Sequence, residues 1–296
     1  MATLPQWIEG ARPRTLPAAV APVILGTGAA AGLDRADVAL ALLALLVALL
    51  LQVGVNYAND YSDGVRGTDT ARVGPVRLVG QRLADPRNVK FAAFASFGAA
   101  AVVGLALVAL SNTPVLLLFG AAAIIAAWRY TGGANPYGYR GLGEIYVFVF
   151  FGLFATLGTL YTQAHRLSVA GLLGAIGVGS IATGLLVANN LRDVYADRVS
   201  GKRTLAVRLG PDRTRVLYIG LLTVALLAVV AMAVLVTPWA ALGLLSAPLA
   251  WRAARTVWSQ AMGADLIPVL LATGLFEVAY AVLTGIGLAL AAAIGS

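Results

Sequence analysis

Apolar runs of about 18–24 residues recur along the whole chain, and they decide what it can fold into. A bilayer accepts such runs as helices, because a helix satisfies its own backbone hydrogen bonds and can show apolar side chains to lipid. Hydrophobic residues make up 60% of the 296 and charged residues 11%, against roughly 45–50% and 25% in a soluble domain. No polar stretch is long enough to hold a separate soluble domain. The pattern predicts a single all-α membrane domain over 1–296, a bundle of nine transmembrane helices. The spans are expected at about 15–32, 37–57, 90–110, 114–130, 143–161, 168–190, 213–236, 238–254 and 266–293. The eighth is the shortest and contains Pro248. Trp7, Glu9, Arg12 and Arg14 precede a first run containing Pro17 and Pro22, so a short interfacial helix at about 4–12 and a retained span are expected, not a cleaved signal.

Basic residues set the orientation. With these spans, every Lys and Arg except Arg35 and Arg166 falls on one side, which places the N-terminus and the long loops in the cytoplasm. The net charge of +8 is then a membrane-topology signal with contact to anionic lipid, and no nucleic-acid partner is implied. Ala/Arg-rich, Lys-poor usage points to the cell membrane of a high-GC bacterium; nothing in the sequence speaks to oligomeric state. Cysteine is absent and His165 is the single histidine. Disulfides, thiolate sites, His-based metal centres and His-dependent triads are therefore excluded. Any catalysis must use carboxylates, amides, hydroxyls, Tyr, Lys/Arg or a metal held by oxygen.

Two polar stretches interrupt the apolar pattern. Asn56, Asn59, Asp60 and Asp63 end the second span, and the loop continues through Asp69 to Arg72. Asn56, Asp60 and Asp63 are spaced to share a helical face. Asn189, Asn190, Asp193 and Asp197 end the sixth span, followed by Lys202 and Arg208. The stretches at 56–72 and 189–204 lie four spans apart and at one membrane level, which suggests two related four-helix halves. Carboxylates beside hydrocarbon need partners. Converging Asp and Asn oxygens suit Mg²⁺, a hard ion that bridges carboxylates to phosphates. The plainer alternative is ion pairing with Arg66, Arg192, Arg198 or Lys202.

These stretches resemble the two aspartate-rich motifs of the UbiA superfamily of intramembrane prenyltransferases. Asn59-Asp60-x-x-Asp63, extended to Asp69, matches the first, and Asp193-x-x-x-Asp197 the second. The resemblance covers essentially the whole chain and is greatest to the branch that prenylates 1,4-dihydroxy-2-naphthoate for menaquinone biosynthesis. Asn59 to Asp69, Tyr130 to Glu144 and Asn189 to Ala206 carry it. The spacing from Asp63 to Asp69 is wider than in many members. The loop after span four has Tyr130, Tyr139 and Arg140, where 4-hydroxybenzoate enzymes have Tyr-x-x-x-Lys-Arg. The resemblance implies a UbiA-type fold and transfer from polyprenyl diphosphate, with loss of diphosphate and CO₂. It implies Mg²⁺ on Asp60, Asp63, Asp69, Asp193 and Asp197, the allylic cation shielded by Tyr130 and Tyr139, and diphosphate contacts from Arg72, Lys202 and Arg208. Asn56, Asn59, Asn189 and Asn190 would contact substrate, Arg140 the acceptor carboxylate, and Glu144 would orient the acceptor or cap its helix. The prenyl chain length is not set by any motif.

Glu277 lies inside the ninth span, so a functional role is its default reading. Asp34, Asp37, Asp85, Asp212 and Asp265 read as loop or cap residues, and His165 as a surface residue. Two other classes fit these stretches less well. A CDP-alcohol phosphatidyltransferase needs Asp-Gly-x-x-Ala-Arg with a second acidic pair close by, and Asp63-Gly64-Val65-Arg66-Gly67 departs from it. A secondary transporter would place its site near the midplane in broken helices, whereas these acids lie at helix ends.

Overall fold

The computed structural model describes residues 2–68 and 76–295, so Asp69 and Arg72 lie outside the described residues. It is all-helical, with no strand among the described residues. A short amphipathic helix, α1 (Leu4–Gly10), is followed by α2 (Pro17–Ala31), α3 (Val38–Arg66), α4 (Pro86–Ser111) and α5 (Leu116–Arg129). Then come α6 (Gly143–Ala164), α7 (Val169–Arg192) and two short helices, α8 (Val194–Val199) and α9 (Leu205–Leu209). The chain ends with α10 (Pro211–Leu235), α11 (Ala247–Trp258) and α12 (Ile267–Ile294).

Among the described residues six helices are long and apolar enough to cross a membrane: α3, α4, α6, α7, α10 and α12 with its preceding turn. α2 and α5 are apolar but shorter. The eighth expected span is split, with Pro238–Ser246 wound as a 3₁₀ helix before α11 continues. Pro248 falls in the first turn of α11, where its missing N–H costs no helical bond. Loop acids act as caps, as expected: Asp37 accepts from Leu40 N at 3.0 Å and Asp85 from Arg87 N at 2.7 Å. Asp212 pairs with Arg215 at 3.0 Å.

Packing separates two large cores, with a small third cluster of Val23, Ala44 and Leu107 bridging α2, α3 and α4. One unites α2, α7, α10, α11 and α12; the other unites α1, α3, α4 and α5. α2 thus leaves its sequence neighbours and packs chiefly on α12, α6 and α7. Glycine makes this possible: a Cβ on Gly28 would lie 2.5 Å from the Cα of Gly285 on α12, so the two backbones touch. α6 meets α7 the same way, where a Cβ on Gly152 would lie 2.5 Å from Gly179 Cα. Gly152 belongs to a π-helical stretch, Phe148–Phe154, inside α6. The extra residue per turn re-aims the aromatic side chains of that stretch. Between the two cores a cavity of about 990 Å³ remains.

Candidate active site

The cavity mouth lies where the acidic end of α3 meets the loop after α8. Lys202 Nζ is 2.8 Å from Asp63 Oδ2, and both side chains are buried. Tyr139 donates its hydroxyl to Asp63 Oδ1 at 2.5 Å. Backbone joins the same loops, since Arg203 N donates to Tyr139 O at 3.0 Å. The two polar stretches and the loop after α5 therefore converge. Tyr139 carries cations on its ring: Lys202 Nζ lies 4.7 Å and Arg66 Cζ 5.2 Å from its centroid. Burial first, then the Asp63 charge, pushes the Tyr139 phenol above its usual range. It stays protonated and can only donate to Asp63.

Arg66 reaches back to the carbonyls of Thr131 and Gly133 and so fixes the Tyr130–Tyr139 loop. Thr131 in turn donates to Asn59 Oδ1 at 2.7 Å. Asn56 binds Ala11 O at 2.8 Å and Thr15 Oγ1 at 3.0 Å, and Gln52 binds the same Thr15 hydroxyl at 2.9 Å. These bonds hold the N-terminal segment against the cavity, bringing Glu9, Arg12 and Arg14 into its wall. Arg77, buried, joins them.

The expected residues divide. Asn56, Asn59, Asp63, Tyr130, Tyr139, Asn189, Asn190 and Lys202 line the cavity. Asp60 does not: fully buried, it accepts from Leu78 N at 2.8 Å and Val79 N at 2.9 Å. It anchors the turn following Arg77, so Asp60 turns away from the cavity that Asn56 and Asp63, expected on the same face, do line. Asp193 and Asp197 are buried but outside the lining, and Arg192 grips Asp193 with Nε at 2.8 Å and Nη2 at 2.7 Å. Two of the ion pairs offered as the plainer alternative, Lys202–Asp63 and Arg192–Asp193, are thus present. Glu144 is buried behind the wall and accepts from the Asn190 amide at 3.0 Å, so it positions Asn190 and touches no cavity space. Arg140 and Arg208 are exposed and lie outside the lining, with Arg208 Nε donating to Arg203 O at 3.3 Å.

Sequence reasoning missed Arg12, Arg14, Arg77 and Arg192 as cavity cations. It also missed an aromatic ladder leading inward from the mouth. Tyr130 meets Tyr137 edge-on at 5.5 Å, and Tyr137 stacks on Tyr146 at 3.8 Å. Tyr146, Phe150, Phe154 and Phe119 continue it at 6.0, 5.1 and 4.7 Å. The Tyr137 phenol is also raised, by burial first and then by its tyrosine neighbours.

The donor set is oxygen-only, carboxylates with amides, which fits a hard divalent cation. Among the described residues no three acidic side chains form a ready cage. Cations already pair with Asp63 and Asp193, so positive charge is accommodated at both motifs.

Comparison with known proteins accords with this geometry. The model of the UbiA prenyltransferase family matches residues 19–268. A 1,4-dihydroxy-2-naphthoate octaprenyltransferase of Mycobacterium tuberculosis is 58% identical over 282 residues, covering 95% of this chain and 96% of that protein. Its Escherichia coli counterpart is 42% identical, covering 89% and 88%. A UbiA homolog from Archaeoglobus fulgidus, bound to GPP and Mg²⁺, superposes with a TM-score of 0.65 at 14% identity, covering 94% of this chain and 99% of that one. At that identity the likeness speaks to the fold alone. The chain belongs to the UbiA prenyltransferase family.

Proposed function

We propose that this chain transfers a polyprenyl group from polyprenyl diphosphate to 1,4-dihydroxy-2-naphthoate, releasing diphosphate and CO₂ and giving demethylmenaquinol. The observation that carries the reading is the cluster Asp63–Tyr139–Lys202 at the mouth of a long, largely apolar cavity. An anionic head and an apolar tail call for this pairing. The likeness to the naphthoate octaprenyltransferases supports the acceptor.

The donor's C–O bond ionises to an allylic cation and a diphosphate anion. Lys202, Arg192 and Arg77 line the mouth as cations that draw in the diphosphate; Arg72, outside the described residues, belongs to the same loop as Arg77. Mg²⁺, when bound, stabilises the negative charge of the departing diphosphate. Asp63, Asp69, Asp193 and Asp197 would hold it, with Asp60 fixing the turn beside Arg77. The ring faces of Tyr139 and Tyr130 shield the allylic cation from water. Asn59, Asn189 and Asn190 supply polar contacts. Arg12 and Arg14 replace Arg140 as the cations for the acceptor carboxylate. The ring carbon bearing that carboxylate attacks the cation, and loss of CO₂ restores the aromatic ring.

The apolar segments are read as nine crossings, with α2, α5 and the Pro238–Trp258 stretch joining the six long helices. The whole chain forms one domain in the cell membrane, surrounded by lipid, with N-terminus and active site facing the cytoplasm. The test is direct. Asp63→Asn and Asp193→Asn should abolish prenyl transfer by inserted, folded protein, and EDTA should stop the wild type until Mg²⁺ is returned. Normal turnover by both variants would sink the metal assignment.

A further inference from the structure

Arg12 stands in an unusual backbone conformation. Its φ of 55° and ψ of 67° are left-handed, although it precedes Pro13, before which a residue is ordinarily extended. It lies just past the end of α1, at a position that glycine commonly fills. Among the described residues six non-glycines have positive φ, and of these only Arg12 lines the central cavity. A strained residue persists where its surroundings fix it, and such residues cluster at ligand sites.

What fixes it is a hydrogen-bonded hub on Thr15. The Thr15 hydroxyl donates to Arg12 O at 2.9 Å. Its oxygen accepts from the Gln52 amide at 2.9 Å and from the Asn56 amide at 3.0 Å. A hydroxyl has one proton and two lone pairs, so the hub is complete. With no proton left for them, neither amide can turn its own oxygen toward Thr15. Asn56 spends its other N–H on Ala11 O at 2.8 Å. The two peptide groups flanking the Arg12 Cα are thus both tied to α3, one through Ala11 O and the other through Arg12 O. That fixes φ and ψ together, and with them the direction in which the Arg12 side chain leaves the backbone. The hub also stands apart from the diphosphate end of the site. Asn56 lies two turns before Asp63, about 10 Å along α3. The acceptor carboxylate and the diphosphate repel each other, and that spacing gives each its own cations. Arg12 is half-buried in the cavity wall, whereas Arg14 is exposed.

We propose that Thr15, Gln52 and Asn56 are positioning residues that hold Arg12 in its left-handed conformation, so that its guanidinium meets the acceptor carboxylate and the site selects acceptors that carry one. This inference rests on the naphthoate reading and deepens it, giving the carboxylate to Arg12 and not to Arg14. Asn56 then acts through Arg12, since both of its amide hydrogens are spent on the hub and on Ala11 O.

Thr15→Val keeps the shape of the hub and removes its hydroxyl, and Thr15→Ser keeps the hydroxyl. In Thr15→Val the KM for 1,4-dihydroxy-2-naphthoate should rise on the order of tenfold or more, the KM for octaprenyl diphosphate should stay within about twofold of wild type, and Thr15→Ser should restore the first. Arg12→Gly should raise the acceptor KM at least as far while its thermal midpoint in detergent holds or rises, because glycine takes the left-handed backbone without strain. A second readout does not depend on turnover. By equilibrium binding, followed through naphthalene fluorescence, wild type should hold 1-hydroxy-2-naphthoate on the order of tenfold more tightly than 1-naphthol. That preference should vanish in Thr15→Val and Arg12→Gly and survive in Thr15→Ser. A preference absent from wild type or unchanged in Thr15→Val would overturn the proposal, as would a rise in the donor KM in place of the acceptor's. A fall in the Arg12→Gly midpoint with both KM values raised would also overturn it, because that is the mark of a purely structural role. A wild type that binds the naphthoate with this preference and transfers no prenyl group would strike the reaction and uphold the hub.

Discussion

Tyr139→Phe removes one hydroxyl and leaves the ring under Lys202 and Arg66 in place. What is lost is the 2.5 Å hydrogen bond to Asp63 Oδ1. A hydrogen bond to a charged group contributes about 1.5–3 kcal/mol. If the bond holds Asp63 in its working orientation, that energy is lost from the transition state, and at 1.36 kcal/mol per decade kcat falls roughly 10- to 150-fold. The KM for the diphosphate donor should move less, because Lys202 remains to attract it. Steady-state rates of prenylated product, measured against donor concentration, separate the two. The protonation state adds a second check. The phenol's folded pKa lies above its ordinary value of 10.0, so its contribution is complete below that value and is lost only as pH rises beyond it. Between about pH 7 and about pH 9 this group should impose no loss of rate. A wild-type kcat in Tyr139→Phe, or an alkaline limb below about pH 9 that vanishes in the variant, would refute the reasoning.

Other perturbations follow from single contacts. Glu144→Gln keeps an oxygen to accept from Asn190 and should remain close to wild type, whereas Glu144→Leu strands a buried amide at about 1–3 kcal/mol, lowering both thermal stability in detergent and activity. Asp60→Asn can satisfy only one of the Leu78 and Val79 amides, so its melting temperature should fall together with its activity, and activity lost at unchanged melting would contradict the anchoring role. Gly28→Ala drives a methyl into the backbone of Gly285 and should cost about 1–3 kcal/mol, read as a lowered thermal midpoint; an unchanged midpoint would mean α2 and α12 do not pack as described.

The membrane bundle was legible because apolar runs of spanning length admit few alternatives. The convergence of the acidic stretches was legible from their placement at the ends of two helices running the same way. The face was harder to read. At 3.6 residues per turn, relative to Asn56, Asp60 stands about 40° to one side, Asp63 about 20° and Asn59 about 60° to the other. Spacing alone could not decide whether the cavity would meet Asp60 or Asn59, and packing on the Leu78–Val79 turn decided it. Arg12 and Arg14 were absorbed into the charge asymmetry that orients the protein, since nothing local distinguishes an orienting arginine from a cavity arginine. That Arg140 and Arg208 lie exposed outside the lining was equally hidden, because the exposure of loop cations is set by how loops dock. The π-helical stretch and the ladder it re-aims carry no pattern that separates them from an ordinary aromatic-rich span.

The central claim is that an acid-lined, cation-bearing mouth over an apolar cavity transfers the polyprenyl group of a polyprenyl diphosphate to the carboxylate-bearing ring carbon of 1,4-dihydroxy-2-naphthoate, releasing diphosphate and CO₂. Purified protein with Mg²⁺, octaprenyl diphosphate and carboxyl-labelled 1,4-dihydroxy-2-naphthoate tests it in one vessel. The account predicts that prenylated product and labelled CO₂ appear together in equal amounts, and that EDTA stops both. Prenylated product without labelled CO₂, or neither from folded protein, would contradict it.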